Sequence, residues 1–150
     1  MSERTLVLVK PDGVQRGLAG EVIGRLERRG LQLVGLKLMR MDEALAARHY
    51  AEHVEKSFYP GLRDFMTSGP LVAAVFEGEN AVRAVRQSMG ATNPLDSPPG
   101  TIRGDLALDL GRNVVHGSDS AESGEREVAL FFRPEELVGW TSDMAGWVRE

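Results

Sequence analysis

A chain of 150 residues, 42% of them hydrophobic, is sized for one domain, residues 1–150, that buries most of the surface its unfolded form exposes. A formal net charge of -4 argues against a uniformly basic nucleic-acid surface, so any anion site has to be a local cluster of Lys and Arg. The absence of cysteine removes disulfides and thiolate zinc sites, no segment resembles a signal peptide, and no apolar stretch approaches a membrane span; a soluble, cytoplasmic protein is expected.

Residues 5–9, Thr-Leu-Val-Leu-Val, form a continuous apolar run rich in β-branched side chains, the pattern of a central strand covered on both faces. Lys10-Pro11-Asp12-Gly13 stops it and leaves the Lys10 ammonium on a strand end, where binding groups are often mounted; alone it reads equally as a solvated lysine. Over residues 21–29, Val22, Ile23 and Leu26 follow helical spacing, Glu21 lies in the first turn, arginines lie near the end, and Gly30 stops the helix. Residues 31–39 read as a second strand. Asp42 is placed to cap a helix running to about residue 54, on which Tyr50 and His53 share a face while Arg48 and His49 point elsewhere. Residues 58–66 read as a short helix, 71–76 as a third buried strand, and 79–89 as a helix with an apolar stripe of Val82, Val85 and Met89. Arg86 falls at the edge of that stripe, where a snorkelling stem over the core is the plainer reading.

Residues 90–112 form the longest stretch without clear periodicity, with one helical turn at 101–106; so long a loop in a compact domain is usually functional or disordered. Residues 127–132, Glu-Val-Ala-Leu-Phe-Phe, read as the fourth strand and 134–137 as a last helical turn. The tail, residues 138–150, carries Trp140 and Trp147 and is too apolar to hang free, so it is expected to pack on its own subunit or a neighbour. Strands interspersed with helices give an α/β sandwich with helices over a small sheet.

The segment Asn113-Val114-Val115-His116-Gly117-Ser118-Asp119-Ser120 sets one imidazole on a polar, glycine-containing turn after a short apolar run. Histidine's ordinary pKa of about 6.5 leaves a neutral ring nitrogen at working pH, and histidine forms covalent intermediates. Gly117 is read as leaving the ring approachable, and Ser118, Asp119 and Ser120 as short groups that orient it or a nearby water. Taken alone, these eight residues fit a solvated loop histidine better. The chain has neither a G-x-x-x-x-G-K-[ST] loop nor a G-x-G-x-x-G turn, so a phosphate site must be assembled from side chains, with Lys10, Arg86, Arg103 and the Thr92 hydroxyl as candidates. With a nucleophilic His116, the reaction class is phosphoryl transfer through a phosphohistidine. His49, His53 and His116 have no ligand spacing such as H-E-x-x-H, which weakens a metal-hydrolase reading.

Five segments in one order, Lys10-Pro11-Asp12-Gly13-Val14-Gln15-Arg16-Gly17, Thr67-Ser68-Gly69-Pro70, Gly90-Ala91-Thr92-Asn93-Pro94, Pro99-Gly100-Thr101-Ile102-Arg103-Gly104-Asp105 and the His116 segment, closely resemble the nucleoside diphosphate kinases over essentially the whole chain. The resemblance implies a ferredoxin-like α+β fold with a four-stranded antiparallel sheet. It also implies a ping-pong kinase that moves the terminal phosphate of a nucleoside triphosphate, mainly ATP, onto His116 and then onto a nucleoside diphosphate, supporting NTP and dNTP synthesis. By the same resemblance Lys10, Tyr50, Arg86, Thr92 and Arg103 contact phosphates, Lys10 with Asn113 holds the sugar 3′-hydroxyl, and Phe58 stacks on the base with Leu62 and Leu110 completing a sandwich. Stacking and apolar contact do not read base edges, so many bases would be accepted. Mg²⁺ would arrive on the phosphates and touch Asp119 through water. Glu127 would hydrogen-bond the second nitrogen of His116 and fix its tautomer, steadied by Ser118.

The chain departs from the family pattern at Ser57, where proline usually precedes the stacking aromatic, at Phe76, where tryptophan is common, and at Leu106, where phenylalanine usually follows Gly-Asp. Gly124 replaces a usual alanine and is expected to weaken a short helix by up to about 1 kcal/mol. The tail resembles that of the longer, hexameric members, so a homohexamer is expected, with residues 90–112 at subunit contacts and neither membrane nor obligatory nucleic acid as a partner. The competing reading is a non-catalytic nucleotide- or nucleic-acid-binding regulator on the same fold. Its mark would be loss of His116 or of its anion-binding partners, and none is lost.

Overall fold

The computed structural model describes residues 2–150; Met1, where the single-domain reading begins, lies outside the described residues. Strands β1 (Ser2–Val9), β2 (Gln32–Arg40), β3 (Pro70–Glu79) and β4 (Val115–Gly117) form one antiparallel sheet in the order β2-β3-β1-β4. The helices are α1 (Pro11–Gln15), α2 (Ala19–Arg29), α3 (Glu43–His49), α4 (Tyr59–Met66), α5 (Ala81–Met89), α6 (Ile102–Leu106), α7 (Ala121–Phe131) and α8 (Ala145–Val148). This is the four-stranded antiparallel α+β architecture that the resemblance implies.

The unbroken apolar run of β1 follows from helices on both sides of the sheet. Side chains alternate across a strand, so Leu6 and Leu8 join one core with Ala46 of α3, Met66 of α4, and Val128 and Phe131 of α7. Val7 and Val9 join the other, with Val22 and Leu26 of α2, Val85 and Met89 of α5, and Ile102 of α6. β3 divides in the same way, Leu71, Ala73 and Val75 against Ala74 and Phe76. Phe76, fully buried, fills the second core.

Several expectations are overturned. Residues 127–132 are not the fourth strand: all but Phe132 belong to α7, whose buried positions Gly124, Glu127, Val128 and Phe131 repeat at helical intervals of three and four. Ser120 caps that helix by accepting from the Ser123 N–H at 3.0 Å. The fourth strand is β4, only three residues long, and His116 sits in it opposite Leu8 of β1, not on a turn. Gly117 does not open space around the imidazole; it is buried against α5, where a β-carbon would come within 2.9 Å of Met89 Sδ and 3.1 Å of a Val85 methyl.

The helix capped by Asp42 forms as expected, with Asp42 accepting from the Leu45 N–H at 2.8 Å, but it ends at His49 and not near residue 54. Beyond it the chain tightens into i→i+3 bonds, His53 N–H to Tyr50 and Lys56 N–H to His53. The tail runs along β2: the Val138 N–H donates to Val34 O at 2.8 Å and the Trp140 indole to Leu33 O at 2.9 Å.

Gly124 has a structural reason. α7 lies so close to β1 that a β-carbon there would stand 2.5 Å from the Arg4 carbonyl oxygen. Gly124→Ala is therefore expected to lower stability by about 1–3 kcal/mol as α7 is pushed off the sheet, against the roughly 1 kcal/mol that helix propensity alone would add. Urea denaturation of the two proteins decides between the signs.

Candidate active site

β4 carries His116 to the face of the sheet covered by α3 and α7, because a residue paired across an antiparallel ladder shares the face of its partner, here Leu8. There His116 Nε2 meets Glu127 Oε1 of α7 at 2.9 Å, and the Ser118 hydroxyl donates to the same oxygen at 2.8 Å. Ser118 Oγ in turn accepts the Leu6 N–H at 3.1 Å. Burial raises the Glu127 carboxyl, but the His116 hydrogen bond and charge, with the Ser118 hydroxyl, outweigh it and hold the group below its ordinary value. An ionised carboxylate can only accept, so Nε2 carries the proton and Nδ1 keeps the free lone pair.

His116 opens on a cavity of about 600 Å³. Lys10, at the end of β1, donates from Nζ to Asn113 Oδ1 at 2.7 Å, and Asn113 Nδ2 donates to Thr92 O at 2.9 Å. Burial, then the Arg103 and Arg112 charges against the opposing pull of Asp12, brings Lys10 down to about 8. Arg103, in α6, is buried with its guanidinium tied to Val115 O at 2.7 Å and Asn113 O at 3.3 Å; burial and Arg86 push it down to about 10. Arg86 of α5 donates to Gly117 O at 3.2 Å. Between them, Val114 adopts φ 73°, a conformation that β-branched residues avoid. Asp12 holds it there, accepting the Val114 N–H at 3.0 Å, while Val114 O accepts from Lys10 N.

Of the residues singled out in the sequence, Lys10, Tyr50, Leu62, Arg86, Thr92, Arg103, Asn113, His116, Asp119 and Glu127 line this one cavity. Ser118 stands behind it, fully buried on Glu127. Phe58 and Leu110 lie outside the lining and are more than half exposed; the Phe58 ring packs 5.4 Å from that of His53, which does line it. Sequence reasoning missed His49. It is buried, and its ring stands edge-on to His116 at 4.9 Å, to Tyr50 at 4.6 Å and to Phe131 at 5.2 Å. Burial and the His116 charge push it down to about 3, so it stays neutral. The signal was available: His49 follows the buried Ala46 by three residues on α3. Burial also raises the Tyr50 phenol, which stays protonated.

The family model described as nucleoside diphosphate kinase matches residues 3–137. The chain belongs to the nucleoside diphosphate kinase family. Among curated relatives of that name, the Gloeobacter violaceus protein is 60% identical over 148 residues, covering 99% of both chains, and the Archaeoglobus fulgidus protein is 58% identical over 148 residues, covering 99% of this chain and 98% of its own. A solved structure of a halophilic nucleoside diphosphate kinase from Halobacterium salinarum, in complex with CDP, superposes with a TM-score of 0.97 at 57% identity, with full coverage of both chains. The nucleoside diphosphate kinases are phosphotransferases, so this chain is an enzyme of that class.

The depressed Lys10 gives the site a pH dependence. Lys10 loses its proton through about pH 8, and only its charged form attracts a phosphate anion. Affinity for a nucleoside diphosphate is expected to be level below that pH and to fall above it, by at most about tenfold per pH unit. Calorimetric titrations between pH 6 and 10 test this: the break should vanish in Lys10→Gln, and a wild-type profile without a break contradicts it.

Proposed function

We propose that His116 carries a phosphoryl group between nucleotides. One observation supports this most directly: an imidazole whose Nε2 is committed to an ionised carboxylate opens on a cavity furnished with Lys10, Arg86 and Arg103. In the first half-reaction Nδ1 attacks the terminal phosphorus of a nucleoside triphosphate. An N–P bond forms, the bond to the bridging oxygen breaks, and the diphosphate leaves with that electron pair. The Nε2 proton stays where it is, and the positive charge gained by the ring falls on the Glu127 hydrogen bond. A second diphosphate then attacks the phosphohistidine and restores the neutral ring. Lys10, Arg86 and Arg103 neutralise the charge on the moving group.

In this reading Lys10 and Asn113, already bonded to each other, receive the sugar 3′-hydroxyl, Thr92 and Tyr50 the phosphates, and Leu62, Phe58 and Leu110 the base. Phe58 and Leu110 are exposed apolar side chains, which suits a stacking slot. Mg²⁺ would arrive on the phosphates, and Asp119, a carboxylate in the cavity wall, would meet it through water with the oxygen donors it prefers.

The reading extends to a homohexamer. β2 is an edge strand with Leu36 and Leu38 more than half exposed, and the tail beside it leaves Trp147 85% exposed, which favours cover by further copies of this chain.

Incubation with γ-labelled ATP and Mg²⁺ is expected to leave an acid-labile, base-stable phosphate on the protein, and none on His116→Ala; an unlabelled wild type rejects the mechanism. Deleting the chain after Leu137 is expected to reduce the mass found by light scattering, and an unchanged hexamer rejects the role given to the tail.

A further inference from the structure

The groups that orient the nucleophile also make a metal donor set. One ring nitrogen from each of His49 and His116 and a carboxylate oxygen of Glu127 lie within 4.8 Å of one another. His116 Nε2 and Glu127 Oε1 are 2.9 Å apart. His49, only 7% exposed, has an Nδ1 that is buried without a hydrogen-bond partner. Two imidazoles and one carboxylate with a fourth position open match a tetrahedral zinc site. The nitrogen donors suit zinc and its transition-metal neighbours, whereas Mg²⁺ favours oxygen. All three residues line the nucleotide cavity, which gives an ion its way in.

We propose that this chain binds a zinc-class divalent cation at His49, His116 and Glu127, and that the bound ion stops phosphoryl transfer by reversing the tautomer of His116. A neutral imidazole has one N–H, and in the metal-free site it lies on Nε2. When Nε2 gives its lone pair to the metal, that proton moves to Nδ1, and Glu127 exchanges a hydrogen bond for a metal–oxygen bond. Nδ1 then has no lone pair with which to attack phosphorus, and no proton leaves the protein. The ion need not block the cavity; it takes away the nucleophile. Arg126, 3.8 Å from the other Glu127 oxygen, sets a positive charge against a dication and lowers its affinity. The site itself stands on geometry; only its effect on turnover rests on the phosphohistidine reading.

The test titrates tag-free, nucleotide-free protein with Zn²⁺ while the imidazole ¹H–¹⁵N spectrum is recorded. One ion per chain is expected, with His116 passing from the Nε2–H to the Nδ1–H form. Co²⁺ in place of Zn²⁺ should give the visible absorption of a four-coordinate ion. His49→Gln and Glu127→Gln, each checked for folding by circular dichroism, should weaken Zn²⁺ binding by at least about tenfold, the least that loss of even an outer-shell partner costs. Phosphorylation of the wild type by ATP and Mg²⁺ should fall with zinc occupancy and return with a chelator. Absence of 1:1 binding, binding unaffected by both substitutions, or a His116 that keeps its Nε2 proton overturns the proposal. A metal-free wild type that takes up no phosphate overturns the phosphohistidine instead, and the zinc titration, which contains no nucleotide, still decides the site.

Discussion

The Glu127 carboxylate is the point on which the site depends. A buried charge is costly unless it is fully paired, and this one is paired across three elements: with His116 on β4, with Ser118 just after it, and through Ser118 with the Leu6 amide of β1. The short edge strand, the central strand and α7 therefore share one polar junction at the margin of the apolar core that α3 and α7 cover. The position of the free nitrogen of His116 is a consequence of that junction, since the same bond that anchors the helix decides which nitrogen bears the proton.

Around that junction the protein gathers positive charge. Lys10 and Arg103 are each displaced toward their uncharged forms, first by burial and then by neighbouring cations. Such a cluster is at odds with its own surroundings, and an anion entering it relieves the mutual repulsion. The strained Val114 belongs to the same arrangement: its two flanking residues, Asn113 and Val115, supply carbonyls that hold Arg103 in place.

Much of this is legible in the sequence, but unevenly. β1 and β3 announce themselves as short unbroken apolar runs, α2 and α5 by apolar residues recurring at three and four, and the strand-end lysine and stripe-edge arginine fall where the chain demands. α7 is misread because Val128, Phe131 and Phe132 are strand-favouring types, while its helical period runs through Gly124 and Glu127, which carry no hydrophobic signal. The sequence reading thus gives Glu127 its partner and puts it on the wrong element. β4 escapes because three residues are too few to show a period, and His49 because a histidine within an otherwise small-residue helix face looks polar until the ring packing is seen.

The arginines that face the cavity have a second place in the architecture. β4 pairs on one side only, with β1, so it ends the sheet. Its carbonyls at Val115 and Gly117 are taken by Arg103 and Arg86. An unpaired strand edge invites another chain to dock on it and aggregate. Here the side chains suited to gripping phosphate also stand guard over that edge. Replacing either arginine would therefore free a carbonyl on the sheet edge as well as remove a positive charge from the cavity.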